Sequence, residues 1–477
     1  MRPRDMWMLA GGRWSQGAGG RMFTVTDPAN GEPLGVVPVC SGGDVDTAVA
    51  AAGDAAPGWA AAPPAERGAA LRAAAQAVED RGAELAALVT AEMGKPSGDA
   101  LGGVEAGIAT LRQYAELGPL HGGRSLQGGW DAADFMIREP RGTVAVITPW
   151  NDPVAIACGL IGAAVVTGNT VVHKPSERTP HTGAMLVELL DGCLPDGVLN
   201  LVTGDGGTGE ILAGHRGVDV VAHVGSTRAG RRVAELTTWT GAKALLENGG
   251  ADPLVVDADV DPSWAAGQAA TGCFANAGQI CTSVERVYVH EAVAARFLDA
   301  LAERARTMRV GAGADPSTEL GPLVDERHRA RVHEQVEKAV ADGARALTGG
   351  YILDGPGYFY PATVLTGCTD AMDVMAAETF GPVAPVRTVA SFDEGLDAAR
   401  RSRYGLAATV LTRDTAHAQA AWRTLKTGTV KINAVFGGAP GGAATPRLAS
   451  GRGFGYGPEL LDEMTAVKVV HLQTAIP

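Results

Sequence analysis

Three side chains far apart in the chain have the types that acyl chemistry at a carbonyl needs: a thiol, a carboxylate and an amide. Cys281 stands in Gly278-Gln279-Ile280-Cys281-Thr282, where a helical pattern stops at Gly278 and leaves the thiol in the following turn. A solitary thiol is more often a small buried hydrophobe than a nucleophile, so its neighbours decide. Glu247 follows Leu245-Leu246 and precedes Asn248-Gly249-Gly250. Burial there would raise the carboxyl pKa towards neutrality and make a general base, although a solvated surface acid has the same sequence. Asn151, in Thr148-Pro149-Trp150-Asn151, ends a strand-like run. Its amide either ties down a turn or donates to the oxyanion that forms when a thiolate attacks a carbonyl.

The elements that must position these groups alternate between strand and helix. Strand runs are expected at 143–147, 168–173, 198–202 and 218–223, with helical stretches between them, which implies a parallel doubly wound sheet. Dinucleotides bind at the carboxyl ends of such strands. No Gly-x-Gly-x-x-Gly follows the first strand, but two other segments suit a nucleotide. His173-Lys174-Pro175-Ser176-Glu177 presents a cation and a carboxylate that can accept from ribose hydroxyls and repel a 2′-phosphate. Gly225-Ser226-Thr227-Arg228 opens a helix whose free N–H groups can face a pyrophosphate. Each of these is also compatible with an ordinary turn or cap.

A second alternation runs from Pro253-Leu254-Val255-Val256 through helices at 261–278 and 291–308 to Val430-Lys431-Ile432. Ahead of both units lie hairpin-like strands in the first 40 residues and Ala-rich helices at 44–62, 64–92 and 97–118. At 477 residues, two or three packed units are expected. Formal charge is −13, from 53 acids and 40 bases with no long basic run, which argues against nucleic acid as a partner. No apolar stretch reaches membrane-spanning length and no secretory leader pattern is present, so a cytoplasmic location away from membranes is expected. The six cysteines form no CxxC pair and lack ligand spacing to histidine, so no metal site or disulfide framework is expected.

Taken together, these segments resemble the aldehyde dehydrogenase superfamily over essentially the whole chain. The matching stretches, in order, are Thr148–Asn151, Gly168–Glu177, Gly225–Gly230, Leu246–Gly250, Gly278–Cys281 and Glu378-Thr379-Phe380-Gly381-Pro382. The resemblance implies an α/β fold with a Rossmann-like nucleotide-binding domain (1–119 and 141–248), an α/β catalytic domain (249–432) and a small β oligomerisation arm (120–140 and 433–477). It implies a homodimer or homotetramer that oxidises an aldehyde with NAD, NADP staying open. Cys281 is then the nucleophile, Asn151 with the Cys281 N–H the oxyanion hole, and Glu247 the base that activates water. Relatives that pass the acyl group to coenzyme A commonly lack that base. Lys174, Ser176 and Glu177 would meet the adenosine side of the cofactor and Gly225 with Ser226 a phosphate. Glu378 would meet the nicotinamide ribose, and Trp150 and Phe380 would line the nicotinamide pocket.

The chain departs from the family pattern mainly around the aldehyde tunnel. Many members have an aromatic residue right after the oxyanion Asn, another eight positions after it and another six before the nucleophile; here these are Asp152, Gly159 and Ala275. A Pro-Phe pair near the C-terminus is replaced by Ala443-Ala444. With Ile280 and Thr282 beside the thiol, a wide tunnel is expected; Asp152 either points to solvent or stands on the tunnel wall, where it would favour a bulky, polar or cationic aldehyde. Phe454 and Gly455 replace a common Arg-Glu, which puts the anchoring of the tail in doubt, and Asn248 replaces an apolar neighbour of the base.

Overall fold

The computed structural model describes residues 6–437, 444–453 and 455–473. In its first sheet, β1 (Thr143–Ile147), β2 (Thr170–Lys174), β3 (Leu199–Leu201), β4 (Val220–Val224) and β5 (Lys243–Glu247) are parallel and ordered β3-β2-β1-β4-β5. All residues of β1, β2 and β4 are buried, which is why β1 and β4 read as nearly continuous apolar runs rather than alternating ones. Strand order reverses between β1 and β4, the crevice in which open α/β sheets bind ligands. Helix α1 (Pro153–Val166), between β1 and β2, is buried on every side except at Ala155 and therefore shows no polar face.

The second sheet contains β6 (Asp252–Val256), β7 (Val284–His290), β8 (Thr363–Thr366), β9 (Val383–Val389), β10 (Ala407–Leu411) and β11 (Thr429–Ile432), parallel in the order β8-β9-β7-β6-β10-β11. Only four residues, 248–251, separate β5 from β6, so Glu247 stands where one sheet ends and the next begins. Cys281 lies just ahead of β7 and arrives at the same boundary. A third, antiparallel sheet joins Arg124–Leu126, Ala132–Pro140 and Thr465–Gln473, the last two paired along their whole length.

Several boundaries differ from the sequence expectations. The helix expected over 64–92 is broken at Arg81, whose φ of −121° and ψ of 20° leave helical geometry and give Pro64–Asp80 and Gly82–Met93. The helix expected over 261–278 ends at Phe274, because Ala275 (ψ 136°) leaves helical geometry and Asn276 and Ala277 then turn left-handed. Within the tail, Thr465–Gln473 joins the arm, whereas Gly451–Arg452 pairs with β5, and Leu460, Leu461 and Met464 pack into the core of the first sheet. Ala443 and Phe454 lie outside the described residues.

Candidate active site

The turn that carries Cys281 is built from residues in unusual conformations. Asn276 (φ 49°), Ala277 (φ 54°) and Gly278 (φ 71°) are left-handed in succession, a strain that persists only where surroundings impose it. At Gly278 a Cβ would overlap the Gly381 carbonyl, so only glycine suits both the dihedral and the space. The buried Gln279 side chain then staples the turn: its Nε2 donates to Asn276 O and Pro322 O, and its Oε1 accepts from Val324 N. Cys281 leaves this turn half-buried, flanked by Ile280 and Thr282, which are half-buried too, as is Ala275 at the start of the turn.

The thiol of Cys281 donates to Glu247 Oε1 at 3.7 Å. Burial pushes the Glu247 carboxyl up, opposed in part by this hydrogen bond. Burial also pushes the Cys281 thiol well up, and the charges of Glu247, Asp252, Glu378 and Asp152 act in the same direction. The thiol therefore rests protonated, with a raised-pKa carboxylate positioned to take its proton. Asn151 is buried, and its Nδ2 donates to Gln279 O at 3.1 Å, which fixes the amide beside the nucleophile turn with a second N–H to spare.

Around the rim, Glu378 accepts from Gly250 N at 3.1 Å, and burial lifts its carboxyl to about 7. Phe380 is left-handed (φ 56°) and is held by groups that sequence reasoning missed. The buried Glu285 carboxylate accepts from the backbone N–H groups of Thr379 and Phe380, and His328 Nε2 donates to Phe380 O at 2.7 Å. Trp150 meets Phe380 edge-on at 5.6 Å, and the Arg178 guanidinium lies over the Trp150 ring at 5.2 Å. At the strand ends, Lys174 is buried and donates from Nζ to Pro175 O, Ser176 is buried and accepts from Arg178 N, and Glu177 is exposed. Ser226, exposed, caps the helix Thr227–Thr240 by accepting from Ala229 N, and Gly225 N donates to Glu247 O. An exposed helix N-terminus and an exposed carboxylate, at the carboxyl ends of two strands of one parallel sheet, suit a dinucleotide.

Two expectations change. Asp152 does not present a bare charge: Lys95 Nζ, on a side chain only 7% exposed, lies 3.5 Å from its carboxylate. Lys95 follows Gly94, the left-handed cap of the helix Gly82–Met93, and nothing in the sequence ties it to Asp152. The wide opening expected at Gly159 is filled by the ring of Tyr456, which a Cβ at position 159 would overlap. Gly455 is equally constrained, since a Cβ there would lie 2.5 Å from Glu247 Oε2. Ala444 is half-buried at the start of the tail segment.

Asn248 points away from the base: its Nδ2 donates to Ala449 O, and its Oδ1 lies against Gly230. Together with Asn248 N donating to Ser450 O, and Ser450 Oγ donating to Gly249 O, it fastens the tail by hydrogen bonds onto main-chain carbonyls, where Phe454 and Gly455 offer no ion pair. Among the described residues no group of three or more His, Cys, Asp or Glu side chains could hold a metal, and no helix is long and apolar enough to cross a membrane.

The chain is similar to known proteins along most of its length. Residues 14–470 match the model of the aldehyde dehydrogenase family. The chain is 38% identical to a benzaldehyde dehydrogenase [NAD(+)] of Pseudomonas putida over 88% of this chain and 86% of that protein. Among solved structures, it is similar to a 3,6-anhydro-L-galactose dehydrogenase in complex with NAP (TM-score 0.95, 34% identity, 98% of this chain and 100% of that one). A lactaldehyde dehydrogenase of Escherichia coli (TM-score 0.96, 32% identity, 98% and 99% covered) and a betaine aldehyde dehydrogenase of Staphylococcus aureus in complex with NAD+ (TM-score 0.95, 30% identity, 98% and 94% covered) are as similar. With its thiol, carboxylate and amide gathered at the junction of two α/β sheets, the chain belongs to the aldehyde dehydrogenase family.

Proposed function

We propose that this protein oxidises a neutral aldehyde to the carboxylic acid with NAD, through a thioester on Cys281 that water hydrolyses. The observation that carries this reading is the Cys281 thiol hydrogen-bonded to Glu247 at 3.7 Å, next to an Asn151 amide fixed on Gln279 O. Glu247 takes the thiol proton, and the thiolate attacks the aldehyde carbon. The free N–H of Asn151 stabilises the resulting oxyanion. Bound NAD supplies the hydride acceptor. Glu247, once it has released the first proton, deprotonates the water that cleaves the thioester. Lys174, Ser176 and Glu177 would hold the adenosine side of the dinucleotide, Gly225 and Ser226 its phosphates, Glu378 the second ribose, and Trp150 with Phe380 the nicotinamide.

The Lys95–Asp152 ion pair supports a neutral substrate, because the ammonium offsets the carboxylate that a cationic aldehyde would need. Likeness to a benzaldehyde dehydrogenase adds an aromatic aldehyde as the first to try. We further infer a homo-oligomer formed through the arm, whose last strand exposes Val467, Val469 and Leu472.

The test is to mix the enzyme with NAD and benzaldehyde, quench in acid and weigh the peptides. A benzoyl increment on the Cys281 peptide is expected, with turnover independent of coenzyme A. Activity surviving Cys281→Ala would overturn the mechanism.

A further inference from the structure

Helix α1 places Gly159 two turns beyond Asn151, facing the ring of Tyr456 from the tail. The contact is close: a single methyl group on residue 159 would overlap the nearest atom of that ring, Tyr456 Cε1. The ring is delivered by a tightly held stretch of chain. Gly451 pairs with Glu247 at the edge of β5, Ser450 Oγ donates to Gly249 O at 2.8 Å, and the buried Tyr114 hydroxyl donates to Gly457 O at 3.3 Å. Gly455, immediately before the ring, lies against the Glu247 carboxylate. Tyr456 is half-buried, and the charges of Glu247, Asp152 and Cys281 all bear on its hydroxyl. They and burial push that hydroxyl well up, so the residue stays a neutral phenol.

We propose that Tyr456 is the specificity-determining residue of this site: its ring, seated on Gly159, forms the flat wall along which an aromatic aldehyde lies as its carbonyl reaches Cys281. The proposal rests on the thioester reading above. It accounts for three features at once. Gly159 leaves the space that the ring fills, Gly455 lets the tail pass the base without displacing it, and the neutral Lys95–Asp152 pair leaves aromatic contact rather than charge to select the substrate. An aromatic wall discriminates because offset or edge-to-face ring contacts add to simple burial, by an amount equal to roughly two- to tenfold in affinity.

The experiment compares kcat/KM for benzaldehyde and hexanal in wild type, Tyr456→Leu, Tyr456→Phe and Gly159→Ala. The benzaldehyde-to-hexanal ratio should fall about five- to tenfold in Tyr456→Leu, mainly through the benzaldehyde KM, and hold within about twofold in Tyr456→Phe, which keeps the ring. Gly159→Ala leaves Tyr456 in the chain but pushes its ring aside, so it should lower the ratio in the same direction. A ratio unmoved in Tyr456→Leu, or lowered as much in Tyr456→Phe, overturns the proposal. Should Tyr456→Leu fail to fold, Gly159→Ala decides, an unchanged ratio overturning the role. Failure of the thioester reading would look different: wild type itself would form no acyl-Cys281 with either aldehyde.

Discussion

The turn that carries the nucleophile and the tail that closes over it are held in different ways. The turn is strained and locked by side chains: three successive left-handed residues, with Gln279 bonded to three backbone groups. The tail is fastened by strand pairing at Gly451 and by side chains that donate to backbone carbonyls, those of Asn248, Ser450 and Tyr114, and Gly455 carries no bulk past the base. The contrast separates two tasks. Bond making needs a sulfur, an oxygen and an amide at fixed positions, and buried hydrogen-bonded side chains give that precision. Substrate choice needs a surface of particular shape, and a segment packed at close range can supply one without touching the reacting atoms.

The harshest way to break the first half of the comparison is at the base. Glu247→Gln keeps the shape but cannot take a proton from the thiol or from water, so acylation of Cys281 and thioester hydrolysis should both slow, turnover falling by roughly 10²–10⁴ without a rapid burst of NADH. The pH dependence follows from the direction of the shift. Burial raises the Glu247 carboxyl, so the active, ionised base is gained only as pH climbs past a value above the ordinary carboxylate range. In wild type, kcat should therefore rise with pH along a limb that the Gln variant lacks. A variant with the same limb would show that another group supplies the base.

At Gly455 the two regions meet, and Gly455→Ala is the sharper probe of how they depend on each other. The added methyl would lie 2.5 Å from Glu247 Oε2, so either the carboxylate turns away from Cys281 or the tail retreats. Misplacing a catalytic group by about 1 Å can cost on the order of 10²-fold in rate. If the carboxylate yields, kcat should fall about ten- to a hundredfold for benzaldehyde and hexanal alike. If the tail yields instead, the loss should fall on benzaldehyde alone, through Tyr456. Parallel rate measurements on the two aldehydes tell these apart, and a wild-type rate on both would mean that the contact constrains neither.

How much of this was readable in the chain follows the same division. Cys281, Glu247 and Asn151 sit in short motifs whose order along the chain carries the family likeness, and strands such as β1 and β4 announce themselves as apolar runs. The break at Arg81 and the left-handed pair Asn276-Ala277 were not legible, because tertiary packing rather than local preference sets those dihedrals. Nor could Gly159 be paired with Tyr456, or Lys95 with Asp152, since each contact joins segments remote in sequence. Reading Gly159 as empty space and Asp152 as a bare charge was reasonable for single residues. Both readings failed because the residue that answers each one lies elsewhere in the chain.

The smallest expected effect tests that last point directly. Lys95 is nearly enclosed, and its partner Asp152, more exposed, sits at the N-terminal cap position of α1 without bonding to the helix backbone. Lys95→Met keeps the stem that packs against its surroundings but removes the ammonium, leaving Asp152 as a net negative charge near Cys281. Two consequences share one cause. The charge of Asp152 already pushes the Cys281 thiol up, so with its counter-ion gone the rate at neutral pH should fall about two- to fivefold and recover towards higher pH. The preference should also move, raising kcat/KM for a cationic aminoaldehyde against a neutral aldehyde of matched size by about two- to fivefold, with the gain shrinking as salt is added. Asp152→Asn in the same background should erase both changes. If the aminoaldehyde ratio stays flat while the neutral-pH rate falls, Asp152 acts on the thiol but does not face the substrate, and the tail alone shapes the passage.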